Sequence, residues 1–503
     1  MSGVVEFDAP NGVKCRLATD PWINNEYVPP VSGERFETIN PATGTVITTV
    51  ASGGKADVDA AVKAARAAFE EGPWGKMSGV ERAQLIFKLA DLCDEEETKK
   101  ELTTIEVLDN GKPFTMAAAV DVPVLSTHLR YFAGWADKIT GETFDVKDQL
   151  LYTRKEAVGV VGAIIPWNFP LVMLVWKLGA SLAAGCTLVV KPAEQTPLSA
   201  LWFAQLVKKA GFPPGVVNVV PGFGPTAGAA ISEHMDIDKV AFTGSVNVGR
   251  MVMCAAAKSN LKRVTLELGG KSPIVVLQDA DIDFAANLSH QAIFFNAGQV
   301  CFAGSRVFVH ASVYDEFLDK AKTLADERKS KLGDPFDPAT LQGAQISKRQ
   351  TEQIMRYIVV GKKEGCRLVS GGNQILQETQ GGYFVEPTIF ADVQSGQTIE
   401  KDEIFGPVLS VIKFNDLDDA ILKSNCTTYG LAAAVVTKDI TKAFKVAHAI
   451  KAGTVWVNQY AAITCGQPFG GYKQSGIGRE NAKSALDNFL ETKSVAVNLN
   501  DPM

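Results

Sequence analysis

Hydrophobic and polar residues follow two periodicities that alternate along the chain. Apolar residues recur at helical spacing in ADVDAAVKAARAAFEEG from residue 56 and in LSALWFAQLVKKAG from residue 198. Short β-branched runs lie among such segments, for example VGVVGAII from residue 158, TLVVKP from residue 187 and KVAFTGS from residue 239. This alternation predicts an α/β fold with a parallel, doubly wound sheet and helices on both faces.

A second series of strands and helices begins after GGKSPIVVL, which spans residues 269–277. Its expected strands are RVFVH, FVEPTIF, LSVIKF and GTVWVN. Two β-rich pieces belong to neither series, namely residues 140–155 and KSVAVNL near the end. A closing strand with exposed edges commonly pairs with another subunit, so we expect a homo-oligomer.

The apolar stretch from Val158 to Val190 is long enough to suggest a membrane span. It contains Pro166, Asn168, Pro170 and Lys177, and its composition changes midway. We therefore interpret it as a buried strand, helix and strand, and expect no membrane association.

Composition narrows the function classes further. The 503 residues include 50 Lys and Arg against 56 Asp and Glu, a balance that offers no basic surface for nucleic acid. Eight scattered cysteines without CxxC spacing predict reduced thiols, and five isolated histidines predict no metal site. The first residues lack a basic stretch followed by an apolar one, so we expect a cytoplasmic protein.

The segment FFNAGQVCFAGSR places Cys301 in a turn of small residues. A thiol taken alone is more often a core residue than a nucleophile. Gly298 and Gly304 predict a tight backbone that exposes the sulfur, and free N–H groups near a helix start would lower the pKa of the thiol. We therefore favour Cys301 as a nucleophile.

Glu267 ends the apolar run VTLE and precedes two glycines. α/β sheets place active sites at the carboxyl ends of their strands, and burial there would raise the pKa of a carboxyl group, as a general base requires. The alternative is a structural salt bridge to a neighbour such as Lys271, which from this segment alone is equally consistent.

Asn168 lies between Trp167 and Phe169 in AIIPWNFPLVM. An Asn beside Pro usually holds a turn, but its amide could instead donate to a developing oxyanion. Nucleotide-binding signals are individually weak: GFGPTAG lacks the GxGxxG spacing, while KPAEQTP and FTGS each follow a strand.

Taken together, these segments resemble the aldehyde dehydrogenase superfamily, most closely its cytosolic and mitochondrial NAD-dependent members of broad substrate range. LELGGKSP and GQVC are specific in combination, and PWNFP, KPAEQTP, FTGS, EIFGPV and PFGGYKQSG follow in the family's order. The resemblance covers nearly the whole chain.

The resemblance implies three structural units. These are a Rossmann-like NAD-binding domain (residues 1–139 and 158–269), an α/β catalytic domain (270–474) and a small β oligomerisation element (140–157 and 475–503). It also favours a homotetramer among the possible oligomers.

The resemblance assigns roles residue by residue. Cys301 would be the nucleophile, Glu267 the general base and Asn168 an oxyanion donor. The residues expected to bind NAD are Ile164, Pro166, Trp167, Lys191, Glu194, Gly224, Gly228, Gly244, Ser245, Leu268, Gln350, Glu403 and Phe405. The residues expected to line an aromatic tunnel for apolar aliphatic or aromatic aldehydes are Phe169, Met173, Trp176, Phe295, Phe302 and Phe469.

Two other functions share these motifs. A relative that passes its thioester to coenzyme A generally lacks the glutamate found here at Glu267, so hydrolysis is favoured. Some lens crystallins keep the fold without turnover, but Cys301, Glu267 and Asn168 are all present here. We therefore expect an active enzyme that oxidises aldehydes to carboxylic acids with NAD.

Overall fold

The structure of the protein is a computed structural model in which residues 3–375 and 381–500 are described. The strands are β1 (Val4–Asp8), β2 (Lys14–Ala18), β3 (Trp22–Ile23), β4 (Glu26–Tyr27), β5 (Arg35–Ile39), β6 (Val46–Ala51), β7 (Thr143–Val146), β8 (Gln149–Ala157), β9 (Val160–Ile164), β10 (Thr187–Lys191), β11 (Val217–Val219), β12 (Lys239–Thr243), β13 (Arg263–Glu267), β14 (Pro273–Val276), β15 (Arg306–His310), β16 (Arg367–Ser370), β17 (Gln374–Ile375), β18 (Phe384–Val385), β19 (Thr388–Ala391), β20 (Val408–Phe414), β21 (Ala432–Val436), β22 (Thr454–Val457), β23 (Gly476–Ile477) and β24 (Leu490–Asn498).

Helices occupy much of the chain between these strands. They are α1 (Lys55–Glu70), α2 (Gly79–Asp94), α3 (Glu96–Asn110), α4 (Phe114–Met116), α5 (Val122–Ala133), α6 (Pro170–Ala184), α7 (Leu198–Ala210), α8 (Ala229–Glu233), α9 (Val246–Lys258), α10 (Ile282–Phe294), α11 (Tyr314–Lys329), α12 (Lys348–Lys363), α13 (Thr398–Lys401), α14 (Leu417–Asn425) and α15 (Ile440–Ala449).

An eight-stranded sheet carries the first series, in the order β23-β13-β12-β9-β10-β11-β3-β4. The strands from β13 to β11 in this order run parallel, and every residue of β9, β10 and β12 is buried. Strands covered on both faces need apolar residues throughout, which explains their continuous Val and Ile runs. Because β10 lies on one side of β9 and β12 on the other, a crevice forms at their carboxyl ends.

A seven-stranded sheet carries the second series, in the order β16-β19-β20-β15-β14-β21-β22. Its strands run parallel except for β16 at one edge. The two sheets confirm the α/β fold class and the doubly wound arrangement. The stretch from Val158 to Val190 is indeed β9, α6 and β10, and none of the described helices is both long and apolar enough to cross a membrane.

The two β-rich pieces form a three-stranded antiparallel sheet in the order β24-β8-β7. β24 pairs with β8 from Leu490 to Asn498, so one of its edges is occupied within the chain rather than by another subunit. The other edge has no strand partner among the described residues. The segment 475–503 is divided, since β23 joins the eight-stranded sheet beside β13.

Candidate active site

The crevice at the carboxyl ends of the first sheet opens into a cavity of about 580 Å³. Four neighbouring strands end there, at Ile164, Lys191, Thr243 and Glu267. The expected site residues that line the cavity are Pro166, Trp167, Asn168, Phe169, Met173, Trp176, Gly244, Ser245, Glu267, Leu268, Cys301, Phe302, Gln350, Glu403, Phe405 and Phe469. The strand ends and the loops of the second series thus bring together residues as far apart in sequence as Pro166 and Phe469.

A tight turn brings Cys301 to the cavity wall. After α10 ends, Asn296, Ala297 and Gly298 adopt positive φ angles of 48°, 53° and 75°, which turn the chain back on itself. A side chain at Gly298 would overlap the backbone of Gly406, so this turn requires glycine there. Cys301 remains partly exposed because the cavity reaches it.

The surroundings of Cys301 favour its neutral thiol. Burial raises the pKa of the thiol above its ordinary value, and the carboxylates of Glu403 and Glu267 raise it further. Backbone N–H groups act in the opposite direction but have the smaller effect. The expected lowering of this pKa is therefore wrong, and these surroundings disfavour the thiolate form of Cys301.

Glu267 is buried at the end of β13, between Thr243 of β12 and Gly476 of β23. Burial raises the pKa of its carboxyl group well above the ordinary value, and the nearby Glu480 carboxylate adds to that effect. Its Oε2 atom accepts no hydrogen bond from the described residues. A Cβ on Gly470 would lie only 2.8 Å from Oε1, so glycine there leaves room for the carboxylate.

The salt-bridge alternative for Glu267 is wrong. Within the described chain Glu267 forms no ion pair, and Lys271 Nζ is buried without a hydrogen-bond acceptor. Lys271 is influenced instead by the carboxylates of Glu400, Glu403 and Asp402, although burial lowers its pKa to about 7. Glu267 therefore has an unpaired carboxyl group at the cavity.

Asn168 lies in the loop between β9 and α6. Its side-chain Nδ2 donates to the backbone oxygen of Gln299 at 2.9 Å, two residues before Cys301. Since an amide nitrogen carries two hydrogens, a second donor remains. On one side of Asn168, Trp167 makes an edge-to-face contact with Phe405, with ring centroids 5.3 Å apart.

Glu403 and Phe405 form the wall opposite Trp167. Glu403 Oε1 accepts from the backbone N–H of Gly270 at 3.1 Å, and a side chain at Gly269 would overlap this carboxylate. Burial raises the pKa of Glu403 to about 7. Phe405 has a strained φ of 56°, and Gln350 Nε2 donates to its carbonyl oxygen at 3.0 Å.

A second group of expected residues lies outside the lining of this cavity: Ile164, Lys191, Glu194, Gly224, Gly228 and Phe295. Lys191 Nζ pairs with Glu194 Oε2 at 3.1 Å. Gly228 lies beside Lys191, since its missing Cβ would be 3.8 Å from Lys191 Cδ. Ser245, which lines the cavity, caps the start of α9 by accepting from Val248 N at 3.4 Å.

Aromatic side chains surround the inner part of the cavity. The Phe469 ring lies 5.4 Å from Trp176 and 5.8 Å from Phe302, both edge-to-face. Phe295, expected in the tunnel, stacks on Phe169 at 6.0 Å and does not line the cavity. It therefore supports the wall from behind.

Sequence reasoning missed several polar residues at the site. Thr243 and Gln195 line the cavity, and Lys177 pairs with Glu480 near Glu267. Asn110 and Lys112 are buried against the Asn168 loop. A signal for the last two existed in the polar run LDNGK, whose Leu, Asp, Asn and Lys all become buried. Among the described residues, no group of three or more His, Cys, Asp or Glu is placed to hold a metal ion.

The Cys301 thiol, the unpaired Glu267 carboxyl group and the Asn168 amide thus share one cavity. The model of the Aldehyde dehydrogenase family matches residues 27–495. This chain belongs to the aldehyde dehydrogenase family. The family and the enzyme class predicted from the motifs are confirmed.

Named relatives of this aldehyde dehydrogenase match it over nearly its full length. The mitochondrial aldehyde dehydrogenase of Homo sapiens is 52% identical over 491 residues, covering 97% of this chain and 94% of that protein. An aldehyde dehydrogenase of Emericella nidulans is 53% identical over 501 residues, covering 99% and 97%.

Solved aldehyde dehydrogenases share its fold. The enzyme from Bacillus cereus in complex with NAD+ is 53% identical with a TM-score of 0.93, covering 96% of this chain and 97% of that one. The indole-3-acetaldehyde dehydrogenase of P. syringae, solved with NAD+ and IAA, is 45% identical with a TM-score of 0.93 and the same coverage.

Proposed function

We propose that this enzyme oxidises aldehydes to carboxylic acids with NAD through a thioester on Cys301. The observation that carries the proposal is the convergence of Cys301, Glu267 and Asn168 on one cavity. Glu403 and Phe405 line the same cavity, so a bound cofactor would meet the substrate beside the thiol.

The residues present fit NAD. The start of α9 offers free N–H groups to a diphosphate, and Ser245 stands at that helix end. Glu403 and Glu194 each offer a carboxylate to a ribose, and the open space around Gly224 leaves the approach clear. The relatives solved with NAD+ support the same cofactor.

In the first half of the reaction, Glu267 takes the proton of Cys301 Sγ, and the sulfur bonds to the aldehyde carbon. The carbonyl oxygen gains the negative charge, which the free N–H of Asn168 and the Cys301 backbone N–H stabilise. Bound NAD would supply the hydride acceptor. Loss of hydride from the tetrahedral carbon leaves the thioester on Cys301.

Between the two halves, Glu267 releases to solvent the proton that it took from Cys301. In the second half, Glu267 accepts a proton from water, and the water oxygen attacks the thioester carbon. The carbon–sulfur bond breaks, the acid leaves, and Glu267 returns its proton to the Cys301 thiolate. The raised pKa of Glu267 suits this role, because a base is most effective when its pKa lies near the working pH. Transfer to coenzyme A would not require this base.

The aromatic walls favour apolar aliphatic or aromatic aldehydes. Phe169, Met173, Trp176, Phe302 and Phe469 line the inner cavity. None of these side chains carries a charge to pair with a charged substrate. A neighbour named for indole-3-acetaldehyde is consistent with an aromatic substrate.

We also propose the division into an NAD-binding domain (1–139 and 158–269), a catalytic domain (270–474) and an oligomerisation element (140–157 and 475–503, apart from β23, which belongs to the first sheet). The free edge of β24 supports a homo-oligomer, for which we favour a tetramer.

All eight cysteines are free, which supports a reducing compartment such as the cytoplasm. Sedimentation of the purified enzyme and fluorescence of a tagged chain in cells test these two points.

The catalytic proposal is tested with Glu267→Gln. We expect a slowed burst of NADH, because the base for Cys301 is gone, and then a stall with an acyl adduct on the Cys301 peptide, because the deacylating base is gone as well. Rapid mixing measures the burst, mass spectrometry detects the adduct, and Cys301→Ala serves as the control that forms neither. Wild-type turnover of Glu267→Gln without adduct would remove Glu267 from the mechanism.

A further inference from the structure

A buried group of charged and polar residues lies behind the Asn168 loop. Lys112 Nζ donates to Asp121 Oδ1 at 2.5 Å and lies 3.7 Å from Glu106 Oε1. All three side chains are fully buried, so the two carboxylates hold a cation where an unpaired one would be costly. The group is therefore a fixed anchor inside the protein.

This anchor contacts the Asn168 loop directly. Lys112 Nζ donates to the backbone oxygen of Asn168 at 3.1 Å and lies 4.4 Å above the Phe169 ring. Asn110 Nδ2 donates to the backbone oxygen of Trp167 at 2.7 Å and reaches that of Asn168 at 3.4 Å. Three consecutive residues of the loop are thus held from one side.

A third donor arrives from the nucleophile turn. Asn296 Nδ2 donates to the same Asn168 oxygen at 3.1 Å, and Asn168 Nδ2 donates back to the Gln299 oxygen. These donors hold the Asn168 backbone through its carbonyl oxygen, and Gln299 O accepts one of the two hydrogens on Asn168 Nδ2. Because the backbone and this hydrogen are both held, the direction of the second Nδ2 hydrogen is fixed as well.

We propose that Lys112 and Asn110 are positioning residues for Asn168, which hold its peptide through the carbonyl oxygen so that its free amide hydrogen points at the reacting oxygen. The inference rests on the proposed role of Asn168 as oxyanion donor. Neither residue lines the cavity, so their effect passes through the Trp167–Phe169 loop, and comparison with Asn168→Ala isolates the part that Asn168 carries.

The test is a double-mutant cycle. Lys112→Met combined with Asp121→Asn removes the donor and the Asp121 carboxylate, while Glu106, whose pKa burial raises to about 7, can take up a proton. We expect kcat/KM for aldehyde oxidation to fall about tenfold or more, but less than the loss of about 100-fold or more caused by Asn168→Ala. In the Asn168→Ala background the same pair should change kcat/KM less than about twofold, because the group it positions is gone.

Asn110→Leu provides a second route that involves no buried charge. It removes the donors to the Trp167 and Asn168 oxygens at nearly constant volume. We expect a smaller loss of kcat/KM that also disappears in the Asn168→Ala background.

Asp121→Asn alone is the control that leaves Lys112 and its hydrogen bond to Asn168 O in place. We expect its kcat/KM to stay within about twofold of wild type.

A readout independent of turnover separates positioning from general distortion. Alkylation of the Cys301 peptide by iodoacetamide forms no oxyanion, so we expect its rate to stay within about twofold in all these variants. Lys262→Met is the matched control, because Lys262 is also buried and its Nζ donates to Ser232 O at 2.8 Å and Ser259 Oγ at 2.6 Å.

Each result decides the question. Three results would overturn the inference and leave the proposed function intact. They are a loss of kcat/KM that adds to that of Asn168→Ala, a changed rate of Cys301 alkylation, and an equal loss of kcat/KM in Lys262→Met. Wild-type turnover of Asn168→Ala overturns the role of Asn168 and this inference with it. Losses that vanish in the Asn168→Ala background, with normal alkylation, support the inference.

Discussion

At Cys301 and Glu267 the same burial that encloses the site raises the pKa of both groups. The two raised pKa values are coupled, because the Glu267 carboxylate is one cause of the Cys301 shift. A proton that leaves Cys301 therefore relieves the repulsion if it moves to Glu267. The pair can exchange a proton without a net charge entering the cavity.

The pH dependence of deacylation follows from these directions. The pKa of Glu267 is raised well above 4.5, so its ionised fraction increases as pH rises through that higher value. We expect the decay rate of the acyl-enzyme to increase with pH over the same range and to become nearly independent of pH in Glu267→Gln. Single-turnover decay between pH 5 and 9 measures this, and a rate that falls with pH would contradict it.

The Lys191–Glu194 pair makes a second prediction at this scale. Glu194 Oε2 forms an ion pair with Lys191 Nζ at 3.1 Å. The Glu194 carboxylate would repel the 2′-phosphate of NADP. Glu194→Gln should raise the ratio of kcat/KM for NADP to that for NAD about tenfold, because Lys191 becomes free to bind the phosphate. The double variant with Lys191→Met should lose that gain. An unchanged ratio in Glu194→Gln would show that Glu194 does not select the cofactor.

At the scale of elements, the sequence predicted what local periodicity determines. The β-branched runs predicted β9, β10 and β12, and the polar residues Lys191 and Glu267 indeed end β10 and β13. The glycines predicted a tight backbone near Cys301, but not the positive φ angles of Asn296 and Ala297 or the close approach of Gly298 to Gly406, which is more than 100 positions away in sequence. The low pKa expected for Cys301 failed for the same reason, since burial and Glu403 come from distant elements.

The start of α9 carries a prediction with a matched control. Ser245 and Asp281 both cap helices, by accepting from Val248 N and Phe284 N. Ser245→Ala and Asp281→Ala should each cost about 1 kcal/mol of unfolding free energy. Only Ser245→Ala should also weaken NAD binding, because the α9 end faces the cavity. Denaturant unfolding and calorimetric titration measure the two effects, and equal NAD affinities would remove Ser245 from the cofactor site.

At the scale of the whole molecule, the three-stranded sheet presents apolar surface that its own chain leaves uncovered. Leu150 is 42% exposed and Val497 is 41% exposed, and the two face each other across β8 and β24. Phe144 and Leu499 add further exposed apolar area. Exposed apolar residues beside an unpaired strand edge are typical of an interface between subunits.

Leu150→Lys should therefore weaken assembly. A charge placed among apolar residues at an interface must be desolvated without a partner, which costs several kcal/mol when buried. We expect a shift to smaller species in sedimentation velocity at micromolar protein, with folding retained because the side chain is exposed in the single chain. Val46→Lys is the control, since Val46 is 48% exposed and lies on a strand of a different sheet. Unchanged sedimentation of Leu150→Lys, or equal dissociation of Val46→Lys, would show that residues 140–157 do not form the predicted oligomerisation element.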